Sequence, residues 1–338
     1  MLPNLSALKI GVSPTLLPDA LLAKVLKDTG LNARTLCAAA DALAQTSTVG
    51  RDTTAWEEIA AAYNMPGRPV PPQTWREFVF SWCAKIRPNN YYNALMTSIN
   101  AQDIDTFEWI VDMVYLNEPA VETWGAQENM EAFREIVSSI RGDLGVRFMS
   151  NVWDLVGPTV LGPKHVLVRV PVFHGDTIAA EWMMEQLLSE VAAEVFATNA
   201  RLESLPMDDI NWPERTRLQA RIEELGRRRD YIISLAYLSN PLTGAGGALG
   251  PRPLADYTRM LDALENVAPP SRNNVIDMIA IAARMWPYRL DIMNAIDQRY
   301  TLTGEEAWRL WNDYVQGITL SPQNAEVVDW FVYRRDNR

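Results

Sequence analysis

The chain has 338 residues, 48% hydrophobic and 22% charged, enough to bury one large core or two ordinary ones. Its 31 Lys and Arg stand against 42 Asp and Glu, a net charge of −11. A chain this acidic argues against broad binding to nucleic acid, because Lys and Arg drive contact with the phosphate backbone. Two cysteines, Cys37 and Cys83, cannot build a disulfide framework and are expected as free thiols of a reducing compartment. No run approaches the ~18 apolar residues of a membrane-spanning helix. The segment MLPNLSALKI lacks the basic start, apolar run and cleavage site of a signal peptide.

In chain order the pattern is helical nearly throughout. Leu21, Leu22, Val25 and Leu26 mark a first helix that stops at Gly30, and an Ala-rich helix over 33–46 holds Cys37. Thr54 and Glu57 have capping-box spacing, in which hydroxyl and carboxylate each meet an orphan amide. PGRPVPP at 66–72 is expected to be extended, because proline blocks helical hydrogen bonding. A second box, Thr74 and Glu77, opens the next helix. Further helices are expected to about Ile99, over 103–116, 127–141 and 145–156.

Residues 157–175 break the pattern. KHVLVRVPVF is rich in β-branched residues that partly alternate, which predicts a strand or small hairpin near 160–174, with Pro171 placing it at an edge. A soft domain boundary near 157 is compatible with this break; otherwise 1–338 reads as one large helical domain.

The best-defined unit is 176–238. Met184, Leu188, Val191, Val195, Thr198, Leu202 and Leu205 step alternately by four and three, as do Leu218, Ile222, Leu225, Arg229, Ile232 and Ala236. That spacing lays each set along one helix edge. The short link predicts a long antiparallel helical hairpin, with Pro213 in the first turn of its second helix. One helix is acidic and the other basic, so the two are complementary. SNPLTGAGGALGPRP at 239–253 reads as a long loop. Helices over 254–266, 272–286, 288–299 and 322–334, and a third capping box at Thr303 and Glu306, complete the chain. The fold class is therefore mainly α.

No catalytic constellation is visible. His165 and His174 are the two histidines. They are nine positions apart, so on one continuous strand they would face opposite sides. The pair His174 and Asp176 reads better as a turn followed by an N-cap. No HExxH, Cys/His metal spacing or GxSxG occurs. The glycines at 244–250 lack the Lys-Ser/Thr of a phosphate loop and follow a helix. Asp105, Glu108 and Asp112 share a helix face that a di-metal bundle could use, but no Glu-x-x-His accompanies them. The reading is of no enzyme, no cofactor and no metal.

Twelve Trp, thirteen Met and an Arg excess of 26 over 5 Lys fit a well-filled helical core. They also fit surfaces buried by partners, where Trp and Arg are favoured anchors. The residues singled out for an interface are Arg227, Arg228 and Arg229, the tight basic cluster, and Leu242, Leu249 and Arg252 in the long loop. For the cluster the plainer reading is pairing with the acidic helix, and the alternative is contact with an acidic partner surface or a local RNA segment.

In size, helical pattern and lack of catalytic motifs the chain resembles the mostly helical clamp proteins that rivet the inner shell of reovirus-like double-stranded RNA viruses. The resemblance implies a virion protein, present in host cytoplasm during assembly, that binds the outside of a shell without chemistry. Its partners would be the major shell protein of the particle, copies of itself, or both, with neither membrane nor nucleic acid. A cytosolic helical adaptor docking through 176–238, and an enzyme with an unfamiliar carboxylate site, are the other classes compatible with the sequence.

Overall fold

The computed structural model describes residues 36–37, 53–87, 90–116, 126–156, 164–207, 210–239, 253–284, 289–315 and 325–337. Among them are fourteen α-helices and no strand, so the molecule is mainly α. The chain forms two compact units, one of residues 1–140 and 147–157, the other of 141–146 and 158–338.

In the first unit the helices are α1 (Thr53–Ala62), α2 (Trp75–Lys85), α3 (Tyr91–Ala101), α4 (Ile104–Val111), α5 (Ala126–Ser139) and the later part of α6 (Gly142–Val152). The Thr74 and Glu77 capping box is formed in both directions. Gln102, in the left-handed region, ends α3, and the Asp103 carboxylate accepts from the Thr106 amide to begin α4. The core is aromatic. Trp82 lies edge-on to both Phe78 and Trp109, and the Trp109 indole donates to the Tyr63 carbonyl at 2.7 Å. Phe107 meets Phe148, and Phe133 meets Trp153.

The second unit begins with a 3-10 turn, Lys164–Val168, that runs into α7 (Arg169–His174). This corrects the expected β excursion near 160–174, as far as 164–174 is described. The physical reason lies in spacing. His165, Val168 and Val172 are all buried and are separated by three and four, so they share one helical face. Pro171 stands in the first turn of α7, where its missing N–H would have no partner anyway. Gly175, at φ 71°, closes the helix. Its N–H bonds the Val172 carbonyl, and the Asp176 N–H bonds that of Pro171, the two bonds of a Schellman motif. Asp176 then caps α8 by accepting from the Ala179 amide, while its other oxygen accepts from the Gly142 amide.

The remaining helices are α8 (Thr177–Ser204), α9 (Trp212–Leu238), α10 (Leu254–Val267), α11 (Arg272–Arg284), α12 (Leu290–Tyr300), α13 (Gly304–Leu310) and α14 (Ala325–Asn337). Helix α8 packs against both α9 and α10, α11 against α9 and α12, and α13 against α14. Polar clasps tie these layers. Arg299 on α12 holds Asp262 and Glu265 of α10. Arg272 clasps Glu306 and the carbonyls of Tyr300 and Thr301. That guanidinium, aided by Thr303, holds the Glu306 carboxyl down at about 2. The Asp297 side chain is fully buried, accepts from the Leu302 amide at 3.0 Å and lies 2.7 Å from the Arg334 guanidinium on α14.

Candidate functional site: an exposed two-helix arm

Helices α8 and α9 lie side by side. Arg201 pairs with Glu214 and Arg221 with Glu194, so contacts rise along one helix as they fall along the other. Arg215 donates to the carbonyls of Leu202 and Leu205 and ties the link to the second helix. Near the body both helices are deeply buried, through Ala180, Met183, Met184, Leu187 and Val191 on α8 and Leu225, Ile232, Ile233, Ala236 and Tyr237 on α9. Beyond Val191 and before Leu225 no described residue is buried. Val195, Thr198, Leu202, Leu205, Leu218 and Ile222 are half-buried along the shared seam. Among the described residues the outer ~20 Å of the pair therefore holds no buried side chain, and forms an arm.

One position of the expected seam is wrong. Arg229 is exposed and pairs with its neighbour Asp230, while Arg228 is the half-buried residue at that level. The strict seven-residue repeat drifts from a straight helix by ~20° per heptad, and here the seam steps from Leu225 through Arg228 to Ile232.

The arm carries large apolar side chains in solvent. Phe196 is 77% exposed, Met207 83%, Ile210 88% and Trp212 63%. These are four of the five most exposed large hydrophobic residues among those described. Isolated exposed apolar residues are ordinary, but concentration on one projecting element marks an interaction surface. Beside them, on the α9 side, lies an open groove of about 660 Å³ lined by Arg201, Arg217, Arg221, Arg227, Glu214, Glu224, Leu218 and Ala220.

The three arginines singled out from sequence are not brought together. Successive helical residues are turned by ~100°, so they point three ways. Arg227 lines the groove. The Arg228 Nε is buried without a hydrogen-bond partner, and its charge, after burial itself, lowers the titration of His165. Arg229 faces solvent. Pairing with the acidic helix falls to Arg221, which meets Glu194. Leu242, Leu249 and Arg252 lie outside the described residues.

The other candidates are each held by neighbouring side chains. His165 is buried, edge-on to Tyr231 of α9, and its neighbour Lys164 is buried in an ion pair with Glu190 of α8. Both carboxylate oxygens of Glu108 accept from Arg147, and one of them also from Asn151, which holds Glu108 low. Burial first, then Glu108, raises Asp112. Among the described residues no group of three metal-binding side chains occurs, and no helix is long and apolar enough to cross a membrane.

Of the described tryptophans half are buried in the core. Trp56, Trp82, Trp109, Trp153 and Trp330 are buried, whereas Trp212 and Trp308 are exposed. High Trp content is thus not itself a sign of partner-covered surface in this chain. Sequence reasoning missed Phe196, Met207, Ile210 and Trp212. The signal was present as the charge-poor run VAAEVFATNA within an otherwise acidic helix, and as apolar residues in a helix-to-helix link. Compared with family models, curated proteins and solved structures, the chain matches none.

Proposed function

We propose that this chain is a non-enzymatic structural protein of a large assembly: a capsid clamp or coat protein that stabilises the shell of a virion through protein–protein contacts. Helices α8 and α9, acting as a long antiparallel hairpin, are its docking element. The observation that carries this reading is the arm, which half-buries one seam and leaves Phe196, Met207, Ile210 and Trp212 in solvent. An aromatic and aliphatic cluster on a projecting element fits an anchor that inserts into a partner's surface. The partners in this reading are the major shell protein of the particle, further copies of the chain, or both. A gentle extract of the natural source, resolved by sedimentation with the complex mass read directly, tests it. Co-sedimentation with a particle at fixed stoichiometry is the expected result. Recovery of the chain solely as a small soluble species contradicts it.

A further inference from the structure

Cys37 and Cys83 are the two cysteines of the chain and stand 46 residues apart, yet the fold brings them together. The Cys37 thiol donates to the Cys83 backbone carbonyl at 3.5 Å. Cys83 lies in the last turn of α2 and is 1% exposed. Cys37 is half-buried, and both are thiols.

Tyr63, just past the end of α1, borders the same space. Its side chain is buried, and its hydroxyl has no hydrogen-bond partner. Burial first, then Cys83 and then Cys37, push that hydroxyl above its ordinary range. One hydroxyl thus stands near enough to both sulfurs to feel each of them. The Trp109 indole, bonded to the Tyr63 carbonyl, holds this residue in place.

We infer that Cys37 and Cys83 form a reversible oxidation site, at which a peroxide converts the pair into a disulfide within the chain. The first support is reach. A disulfide needs its Cα atoms within about 7 Å. The 3.5 Å contact, with ordinary bond lengths on either side, leaves these two at most about 9 Å apart. Closure therefore asks for side-chain rotation and a backbone shift of no more than ~2 Å. The second support is the unequal exposure of the two thiols. Susceptibility follows exposure, and a sensor cysteine is often poised beside a resolving one. A peroxide reaches half-buried Cys37, and buried Cys83 resolves the product. The third is that no other cysteine exists in the chain to compete for either.

With hydrogen peroxide the steps balance. The Cys37 sulfur attacks one peroxide oxygen and the O–O bond breaks, giving a sulfenic acid on Cys37 and one water. The Cys83 sulfur then attacks the Cys37 sulfur. The S–S bond forms, the S–O bond breaks, and hydroxide leaves with the Cys83 proton as a second water. Two thiols have lost two electrons and two protons, and the peroxide has gained both. A thiol reductant restores the pair by exchange. The bridge would tie residues 36–37 to the last turn of α2 and close a loop that contains α1, which constrains the unfolded chain.

Treatment of the purified full-length chain with hydrogen peroxide, then alkylation and non-reducing peptide mapping, tests the site. The expected product is a linked Cys37–Cys83 peptide in a monomeric chain, with no thiol left to alkylate and both recovered on reduction. Cys83→Ala is expected to stop at the Cys37 sulfenic acid, captured by dimedone. Cys37→Ala is expected to keep Cys83 reduced at the same dose. Equilibration with glutathione measures the proximity itself. The constant for bridge formation should be at least tenfold larger in the folded chain than in the chain unfolded by urea. Equal constants overturn the inference, as do two thiols that survive the peroxide. A chain linked to a second copy through Cys37 overturns it too, as does Cys37 carried on to sulfinic acid beside an intact Cys83. The wild-type map decides even where a variant fails to fold. These measurements use the chain alone, so their outcome is separate from that of the capsid reading.

Discussion

Asp297 and His165 show how single buried groups hold this molecule. Asp297 has no exposed surface; one oxygen holds the turn after α12 through the Leu302 amide and the other faces Arg334 of α14. Removing one member of a buried pair leaves the other charge uncompensated, which costs about 3 kcal/mol when the survivor is nearly buried. Asp297→Ala is therefore expected to destabilise by about that amount in urea unfolding. Recovery of most of the loss in Asp297→Ala/Arg334→Leu would show that the cost lies in the stranded arginine. His165 is held below its ordinary 6.5 by burial and then by Arg228. The unfolded chain takes up this proton at a higher pH than the folded one. The contribution is therefore intact above about 6.5 and is lost as pH falls through the folded value. Between pH 7.5 and 5.5 wild type should lose more stability than His165→Gln, measured by denaturant midpoints at each pH. Equal losses would mean that His165 titrates alike in both states.

At the scale of elements, helix ends and faces were the legible part. The boxes at Thr74 and Thr303 form as their spacing implies, because a cap is a local device that needs no tertiary partner. The segment 164–174 was misread because β-branched alternation was weighed above the three-and-four spacing of His165, Val168 and Val172. The Pro171 to Gly175 punctuation of a short helix was also there to read. The triplet Arg227 to Arg229 was misread as one patch because adjacency in sequence is not adjacency on a helix. Gly226 gives a test at this scale. It lies inside α9 just beyond the arm, and a Cβ there would meet nothing within 4 Å. Gly226→Ala is expected to stabilise by about 0.5–1 kcal/mol, since alanine loses less backbone entropy in a helix. A lower melting temperature would show that this glycine has a role other than the open space around it implies.

Over the whole molecule, the side chains that stand out in the sequence are in large part those that build the core. Tryptophan and methionine fill the two units, acidic side chains are clasped by arginine, and the histidine near Arg228 is packing. What stays outside this closed bookkeeping is the arm, whose burial stops at Val191 and Leu225 on the same level. Its amides between 192 and 224 are expected to exchange with solvent faster than those of 179–191, because few buried contacts oppose local opening. The function assigned to the chain rests on that element, since neither motif nor relative supplies one.

An arm deletion tests this most directly. Residues 192–224 are replaced by a short glycine-containing turn that joins Val191 to Leu225, and the mass of the resulting complex is measured by sedimentation in its native setting. The account predicts that the shortened chain keeps a cooperative unfolding transition and its remaining helicity, yet no longer sediments with any assembly. A shortened chain that folds and still joins the assembly at wild-type stoichiometry would contradict the arm as the docking element.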